Sequence, residues 1–340
     1  MRVGLTYNMK RGESEEGSEP PSSRCKVQAE WDDPATIDAV QSALAERHEV
    51  ILIDAAEDVY DALQRHRPEI VFNMAEGEFG PCREGHVPSI LEYLNIPYTA
   101  SDPLTLNLCL DKARAKEILA FHSLPTARFK VVSAKNFSFN SLHYPLLVKP
   151  LYEGSSIGIF NDSLVRTREE MRQRVSQVLD RFREPALVEE FLSGREFTVA
   201  ILGNGDEARV LPIVEIKFDS LPQGVNPIYS FEAKWIWDVA SNPLEIFACP
   251  AVLSPELQSD IERVCLDAYR VLRCRDWCRI DVRLDASNRP HIIELNPLPG
   301  IIPRPEDNSC FPKAARAAGM SYNELINTVL DIACKRYGLG

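Results

Sequence analysis

The segment 277–300 reads WCRIDVRLDASNRPHIIELNPLPG and contains two apolar strands separated by turn-forming residues. Its first part alternates between polar and apolar positions, DASN supplies the turn, and an apolar run with spaced polar residues follows, so we expect a β-hairpin. Side chains two residues apart in a strand point to the same face. The pattern therefore predicts that three oxygen-bearing side chains converge on one face: Asp281, Glu294 and Asn296.

Strands and helices alternate in the first hundred residues. Apolar strands are predicted at 1–7, 49–54, 68–73 and 96–99, and helices at 34–47 and 86–94. Alternating strands and helices favour a parallel sheet that is covered by its helices.

The pattern changes after Ser101, where we place the first domain boundary. The predicted domains are 1–102, 103–190 and 191–340. Helices are predicted at 110–119 and 164–181 in the second domain, and a strand at 208–217 in the third. The insertion at 10–28 is rich in Gly, Ser, Glu and Pro, which is typical of a segment that cannot order itself. Its position after the first strand is also where ligands bind in α/β proteins, so both interpretations stay open.

Lys149 ends a short apolar strand and precedes the glycine-containing loop 151–158. A lysine in this position either extends its ammonium to solvent or binds an anion. The loop glycines allow a ligand to approach the backbone, and Ser155 and Ser156 offer hydroxyl groups, which favours a phosphate-covering loop. The order of residues is not that of a Walker A loop.

The hairpin oxygens favour Mg²⁺, which prefers hard oxygen ligands. The alternative, a surface hairpin with solvated acids, is disfavoured because apolar residues flank Glu294, where an unpaired charge is costly. Glu189 and Glu196 lie at strand ends, where they could accept hydrogen bonds from a nucleoside or remain solvated edge acids.

Composition narrows the function classes. The chain has 340 residues and a formal net charge of −12, which disfavours nucleic acid as a partner. No apolar window approaches the length of a membrane helix, and the opening residues read as a strand rather than a signal peptide, so we expect a cytoplasmic protein. Nine cysteines, an odd number, favour reduced thiols.

Six sequence blocks resemble ATP-grasp enzymes and, within that superfamily, the D-alanine–D-alanine ligases. They are IPYTAS with LDK (96–101 and 110–112), PLLVKPLYEGSSIG (145–158), VEEFLSGREFTV (188–199), EAK (232–234), RIDVRLD (279–285) and ELNPLPG (294–300). The resemblance covers nearly the whole chain. It implies an α/β (α+β) fold of three domains: a Rossmann-like parallel sheet, a small central α+β domain and a C-terminal antiparallel-sheet domain.

The resemblance also implies roles for individual residues. ATP would be bound by Lys112, Lys149, Glu153, Ser155, Ser156, Glu189, Glu190, Phe191, Leu192, Glu196 and Lys234. Two Mg²⁺ ions, replaceable by Mn²⁺, would be held by Asp281, Glu294 and Asn296. The catalytic set would be Arg279, Ser155, Gly300 and Glu30. The amino-acid substrates would contact Glu76, Arg83, Trp235, Arg279 and Ser309.

Two departures from the family pattern concern the first-substrate site. The loop 74–85 lacks the family's histidine and has Arg83 where an acid is expected, which would suit a substrate with an additional carboxylate. Trp235 replaces a tyrosine. We therefore expect a ligase that joins two amino acids or similar acids through an acyl-phosphate and is not restricted to D-alanine.

Two alternatives to that function stay open. One is a D-alanine–D-alanine ligase of peptidoglycan synthesis, and the other is a catalytically silent nucleotide-binding protein. By analogy with the family, we also expect a homodimer formed through the first domain.

Overall fold

The computed structural model describes residues 1–11, 30–138, 141–237 and 244–339. Apart from its first two residues, the predicted insertion at 10–28 lies outside these ranges. Within them, no helix is long and apolar enough to span a membrane.

The first part of the chain folds into the predicted parallel sheet, with strand order β2–β1–β3. Its strands are β1 (Arg2–Tyr7), β2 (Glu49–Asp54) and β3 (Ile70–Asn73), and its helices are α1 (Pro34–Ala45), α2 (Val59–His66) and α3 (His86–Leu94). Helix α2 was not predicted, because it is short and mostly polar, with Leu63 as its buried residue. The strand predicted at 96–99 is reduced to a bridge between Tyr98 and Val71.

Two helices, α4 (Pro103–Leu110) and α5 (Lys112–Phe121), follow the first sheet. The sequence predicted one helix beginning at Leu110. The break arises because the Asp111 side chain caps α5 by accepting hydrogen bonds from the backbone N–H groups of Ala113 and Arg114.

The second sheet is antiparallel, with order β4–β7–β5–β6. Its strands are β4 (Phe129–Val132), β5 (Leu146–Pro150), β6 (Leu164–Val165) and β7 (Ala186–Glu190), and helix α6 (Arg168–Phe182) packs on it. The helix predicted from Leu164 begins later, because the first two residues pair with β5 and the Thr167 side chain caps α6.

The third sheet has the order β11–β10–β8–β12–β13, with β9 paired to β8. Its strands are β8 (Glu196–Leu202), β9 (Arg209–Val210), β10 (Val214–Ile216), β11 (Phe247–Ala248), β12 (Trp277–Leu284) and β13 (Pro290–Asn296), and helix α7 (Pro255–Val271) packs on it. The strand predicted across 208–217 is broken near Pro212, which has no N–H for the ladder. The predicted hairpin is β12–β13.

Four helices connect the first and third sheets to other parts of the chain. Helices α4 and α5 share a hydrophobic cluster with the third sheet, including Cys109, Leu119 and Ile292. The last helices are α8 (Cys310–Ala317) and α9 (Tyr322–Tyr337). Helix α9 packs on α1, where the Asn327 side chain donates to the carbonyl of Ala43 at 2.8 Å. Each sheet falls within one predicted domain range, while the domain boundaries themselves stay a prediction.

Candidate functional site

A cavity of about 210 Å³ lies between the second and third sheets. Strands β5 and β7 contribute one wall, and β8, β12 and β13 contribute the other. It brings together many of the residues that the sequence singled out: Lys149, Glu153, Ser155, Ser156, Glu189, Glu190, Phe191, Leu192, Glu196, Lys234, Arg279, Asp281, Glu294, Gly300 and Ser309.

The buried carboxylate of Glu189 lies between two lysines in this cavity. Its Oε1 is 2.8 Å from Lys149 Nζ and its Oε2 is 2.9 Å from Lys116 Nζ. Burial would raise the pKa of Glu189, but the two lysines lower it to about 2. One carboxylate therefore faces two ammonium groups, and their excess positive charge suits an anion such as phosphate.

Lys116 was not predicted as a site residue, whereas Lys112, one turn earlier on α5, was. The structure places Lys112 in a second, adjoining cavity. Its Nζ donates to the carbonyl of Glu153 at 2.6 Å and lies 3.8 Å from Glu294 Oε2. Residues four apart on a helix share a face, so this spacing was the signal that could have identified Lys116.

The loop 151–158 covers one side of the first cavity. Ser155 and Ser156 adopt left-handed backbone conformations, with φ of 49° and 60°. The Ser156 hydroxyl donates to the carbonyl of Tyr229 at 2.8 Å. A side chain at Gly158 would collide with the ring of Pro150, so this position needs glycine. The Ser156 contact ties the loop to the segment between β10 and β11, and the close approach of Gly158 to Pro150 packs its end against β5.

The three predicted metal ligands meet on the hairpin. Asp281 and Glu294 are directly opposite each other across the β12–β13 ladder, next to a β-bulge. Asn296 Nδ2 is 3.4 Å from Asp281 Oδ2. Bulges often re-aim side chains beside active sites. The donor set of two carboxylates and one amide oxygen fits a hard cation such as Mg²⁺ that also binds ligand oxygens.

Arg279 and Lys234 each line both the first and the second cavity, where they supply positive charge. Arg279 is paired with Asp281, at 3.0 Å from Nη2 to Oδ2. Burial lowers the pKa of Lys234 to about 8, and Arg279 contributes to this shift. Lys234 therefore begins to lose its charge just above neutral pH.

The second cavity is rich in glutamates, including Glu30, Glu76, Glu84 and Glu294. Burial raises the pKa of Glu84 to about 7, and the Glu30 carboxylate contributes. Burial and Glu84 also raise the pKa of Glu76. Burial is the largest cause of both shifts and neighbouring carboxylates add to it, so a cationic group bound between these side chains would stabilise their charged forms.

Arg83, which the sequence predicts as a substrate contact, does not line this second cavity, and its contact with a substrate stays a prediction. Its Nη2 donates to Glu30 Oε2 at 2.8 Å and to the carbonyl of Tyr152 at 3.0 Å. Arg83 lines a third cavity on the outer side of that ion pair. Arg83 thereby neutralises the Glu30 carboxylate, which was expected to bind the ammonium of the first substrate.

Of the two remaining predicted substrate contacts, Ser309 lines the first cavity and Trp235 does not. Trp235 is outside the cavity linings, and its indole N–H donates to the carbonyl of Ser155 at 3.1 Å. It therefore contacts the covering loop, and its predicted contact with a substrate stays a prediction. Ser309 lines the first cavity, where its hydroxyl donates to the carbonyl of Gly300 at 3.2 Å.

Comparisons with known proteins give the family. The model of the D-ala D-ala ligase C-terminus matches residues 118–331. The uncharacterised protein y4sG of Sinorhizobium fredii is 35% identical over 90% of this chain and 90% of its own, and a D-alanine–D-alanine ligase of Bordetella avium is 36% identical over 88% of each.

A solved structure supports the same fold. The D-alanine–D-alanine ligase of Bacillus anthracis complexed with ATP superimposes with a TM-score of 0.74, at 22% identity and full coverage of both chains. This likeness confirms the predicted ATP-grasp fold. The chain belongs to the D-alanine–D-alanine ligase family of ATP-dependent, ADP-forming ligases.

Proposed function

We propose that the protein is an ATP- and Mg²⁺-dependent ligase that joins two amino acids, or similar acids, and is not restricted to D-alanine. The observation that carries this proposal is one cavity whose walls hold the Lys116–Glu189–Lys149 cluster and the Asp281–Glu294 pair. Ammonium groups suit phosphate oxygens, and paired carboxylates suit the cation that accompanies them.

The nucleotide would lie along the first cavity. Lys116, Lys149 and Lys234 would contact its phosphates, because their ammonium groups face the cavity from different elements. The segment 189–192 would border the adenine, and Glu196 would accept hydrogen bonds from ribose. The loop 151–158 would cover the phosphates and exclude water from a reactive intermediate.

The hairpin oxygens of Asp281, Glu294 and Asn296 would hold two Mg²⁺ ions, which Mn²⁺ could replace. When bound, the metal neutralises negative charge on the transferring phosphoryl group. Arg279 pairs with Asp281 and would keep its carboxylate oriented toward the same face as Glu294.

The family reaction has two steps in which this chain's residues would act. A carboxylate oxygen of the first substrate attacks the γ-phosphorus and ADP leaves, which forms an acyl-phosphate. The amine nitrogen of the second substrate then attacks the acyl carbon, loses a proton, and phosphate leaves. Arg279 and the backbone near Gly300 would stabilise the oxyanion, and Ser309 would bind the carboxylate of the second substrate.

The ammonium of the first substrate would contact Glu76 and Glu84 in the second cavity. Glu30 is paired with Arg83, whereas burial, together with neighbouring carboxylates, raises the pKa values of Glu76 and Glu84. A bound ammonium would stabilise the charged forms of both. This cavity adjoins the first one, and they share Arg279 and Gly300. A substrate there could present its carboxylate to the nucleotide.

A peptidoglycan D-alanine–D-alanine ligase is the second candidate, favoured by the names of the relatives. A catalytically silent nucleotide-binding protein is the third. The joint presence of the metal-type acids, Arg279 and the cavity lysines argues against silence, because binding without turnover does not need a second, glutamate-rich cavity beside them.

Phosphate release from ATP and Mg²⁺ in the presence of a panel of D- and L-amino acids separates these candidates. Release with several acids supports the proposed ligase, and release with D-alanine alone supports the peptidoglycan enzyme. ATP binding without release under any condition would leave the silent protein. Mass spectrometry of the product would identify the amide that forms.

A further inference from the structure

Arg283 is a buried cation that the proposed reaction does not use. It lies on β12, two positions after Asp281, and lines the first cavity with only 5% of its surface exposed. Across the ladder it is directly opposite Glu196, the proposed ribose acceptor on β8. The two side chains therefore share one face of the third sheet.

The guanidinium is held in place by its surroundings. Its Nη1 donates to Glu196 Oε2 at 2.6 Å, and its Nη2 donates to the carbonyl of Pro227 at 2.8 Å. The ring of Phe191 lies 4.5 Å from the guanidinium carbon, and that of Phe218 lies 5.2 Å away. Packing between aromatic rings restricts an arginine to one orientation.

This geometry restricts what Arg283 can do. Two of its five N–H donors are used by Glu196 and by the carbonyl of Pro227, and its buried Nε has no hydrogen-bond partner among the described residues. The contact with Glu196 and the two rings nevertheless fix the guanidinium beside that carboxylate. Burial raises the pKa of Glu196, while Arg283 opposes that rise. The ion pair therefore favours a charged Glu196 and fixes the position of one of its two oxygens.

We infer that Arg283 is a positioning residue that orients Glu196 toward the ribose hydroxyls, so that the site discriminates ribonucleotides from deoxyribonucleotides. The inference rests on the proposed nucleotide site. A charged Glu196 held in position binds a ribose hydroxyl that a deoxyribose lacks. Arg283, its partner across the ladder, holds it in that position.

Calorimetric titration with ADP, 2′-deoxyADP and 3′-deoxyADP in Mg²⁺ buffer tests this without turnover. We expect the wild type to bind ADP about tenfold more tightly than at least one deoxy analogue, the loss typical of one hydrogen bond to a charged group. In Arg283→Met this ratio should fall below about twofold, because methionine has neither the charge nor the N–H donors that hold Glu196 in position. Arg283→Lys keeps a cation beside Glu196 and should retain more of the ratio.

Glu196→Gln provides a second variant with nearly unchanged shape. It should also lose discrimination, and the double variant Arg283→Met/Glu196→Gln should lose no more than either single one, because both changes remove the same contact. Equal weakening of all three nucleotides in Arg283→Met, with the wild-type ratio retained, would make Arg283 merely structural and overturn the inference.

The same titrations separate this inference from the proposed function. ADP binding by the wild type with no preference over either deoxy analogue would overturn the inference alone. A wild type that binds none of the three nucleotides would overturn both.

Discussion

Two buried carboxylates, Asp276 and Glu189, are held by cations in opposite ways. Asp276 is fully buried, and each of its oxygens is within 3.0 Å of a nitrogen of Arg336. Its remaining capacity is used by the backbone N–H of Ala100 and the amide of Asn204. Glu189, by contrast, faces two lysines on the wall of a cavity.

The difference is one of charge balance. Asp276 and Arg336 form a neutral pair with its hydrogen bonds made within the protein, and they join α9 to the chain segments around 100 and 204. The Glu189 cluster has one more cation than anion and adjoins empty volume. A balanced pair holds the fold together, whereas an unbalanced one beside a cavity indicates a binding site.

Asp276→Asn should produce the largest effect. It leaves Arg336 without its counter-ion, and breaking a buried pair costs about 3–5 kcal/mol of the free energy of unfolding. Urea denaturation measures this loss, while the KM for ATP of the folded fraction should stay unchanged. The control Glu207→Gln breaks the exposed pair with Lys335 and should cost less than about 1 kcal/mol. Equal losses in both variants would contradict the contrast.

Asp281→Asn should lower turnover by about a hundredfold, since it removes a charge that the proposed metal and Arg279 both use. Its urea midpoint should fall less than that of Asp276→Asn, because the side chains of the Arg279–Asp281 pair are more exposed, at 25% and 16%, than those of the Arg336–Asp276 pair, at 17% and 0%. A variant with normal turnover would remove Asp281 from the proposed ligands. Mn²⁺ titration would show whether weaker metal binding causes the loss.

Lys116→Met should raise the KM for ATP about tenfold, as expected for the loss of one charge-assisted contact to phosphate. Glu189 keeps Lys149 as its partner, so unfolding should shift far less than in Asp276→Asn. Lys335→Met removes an exposed lysine outside the cavity and is the matched control. An unchanged KM in Lys116→Met would mean that the excess charge near Glu189 does not serve the nucleotide.

The smallest effect is a pH dependence at Lys234. Because its pKa is lowered to about 8, its ammonium is charged below that pH and neutral above it. Phosphate binding needs the charged form, so the KM for ATP should rise as pH increases from 7.5 to 9. In Lys234→Arg, whose side chain stays charged, the same profile should be flatter. A wild-type KM that does not change over this range would contradict the assignment.

Local patterns in the sequence predicted much of the fold. Strand β2 and helix α3 begin and end where the sequence predicts. Their signals, hydrophobic periodicity and turn-forming residues at the ends, depend only on residues that are close together in the sequence. The β12–β13 hairpin was also predictable from its turn residues. The pairing of Asp281 with Glu294 was not, because a bulge between Asp281 and Val282 shifts the register set by the turn. Elements without such signals, such as the short polar α2, were missed.

The sequence alone thus determined the family, most of the order of elements and the presence of the acid-bearing hairpin. The tertiary structure decided which of two lysines on α5 lines the first cavity, and it paired Arg83 with Glu30 and Arg283 with Glu196. These partners are 53 and 87 residues apart along the chain. Their pairing depends on how separate sheets and loops pack, and periodicity within one segment contains no information about that packing.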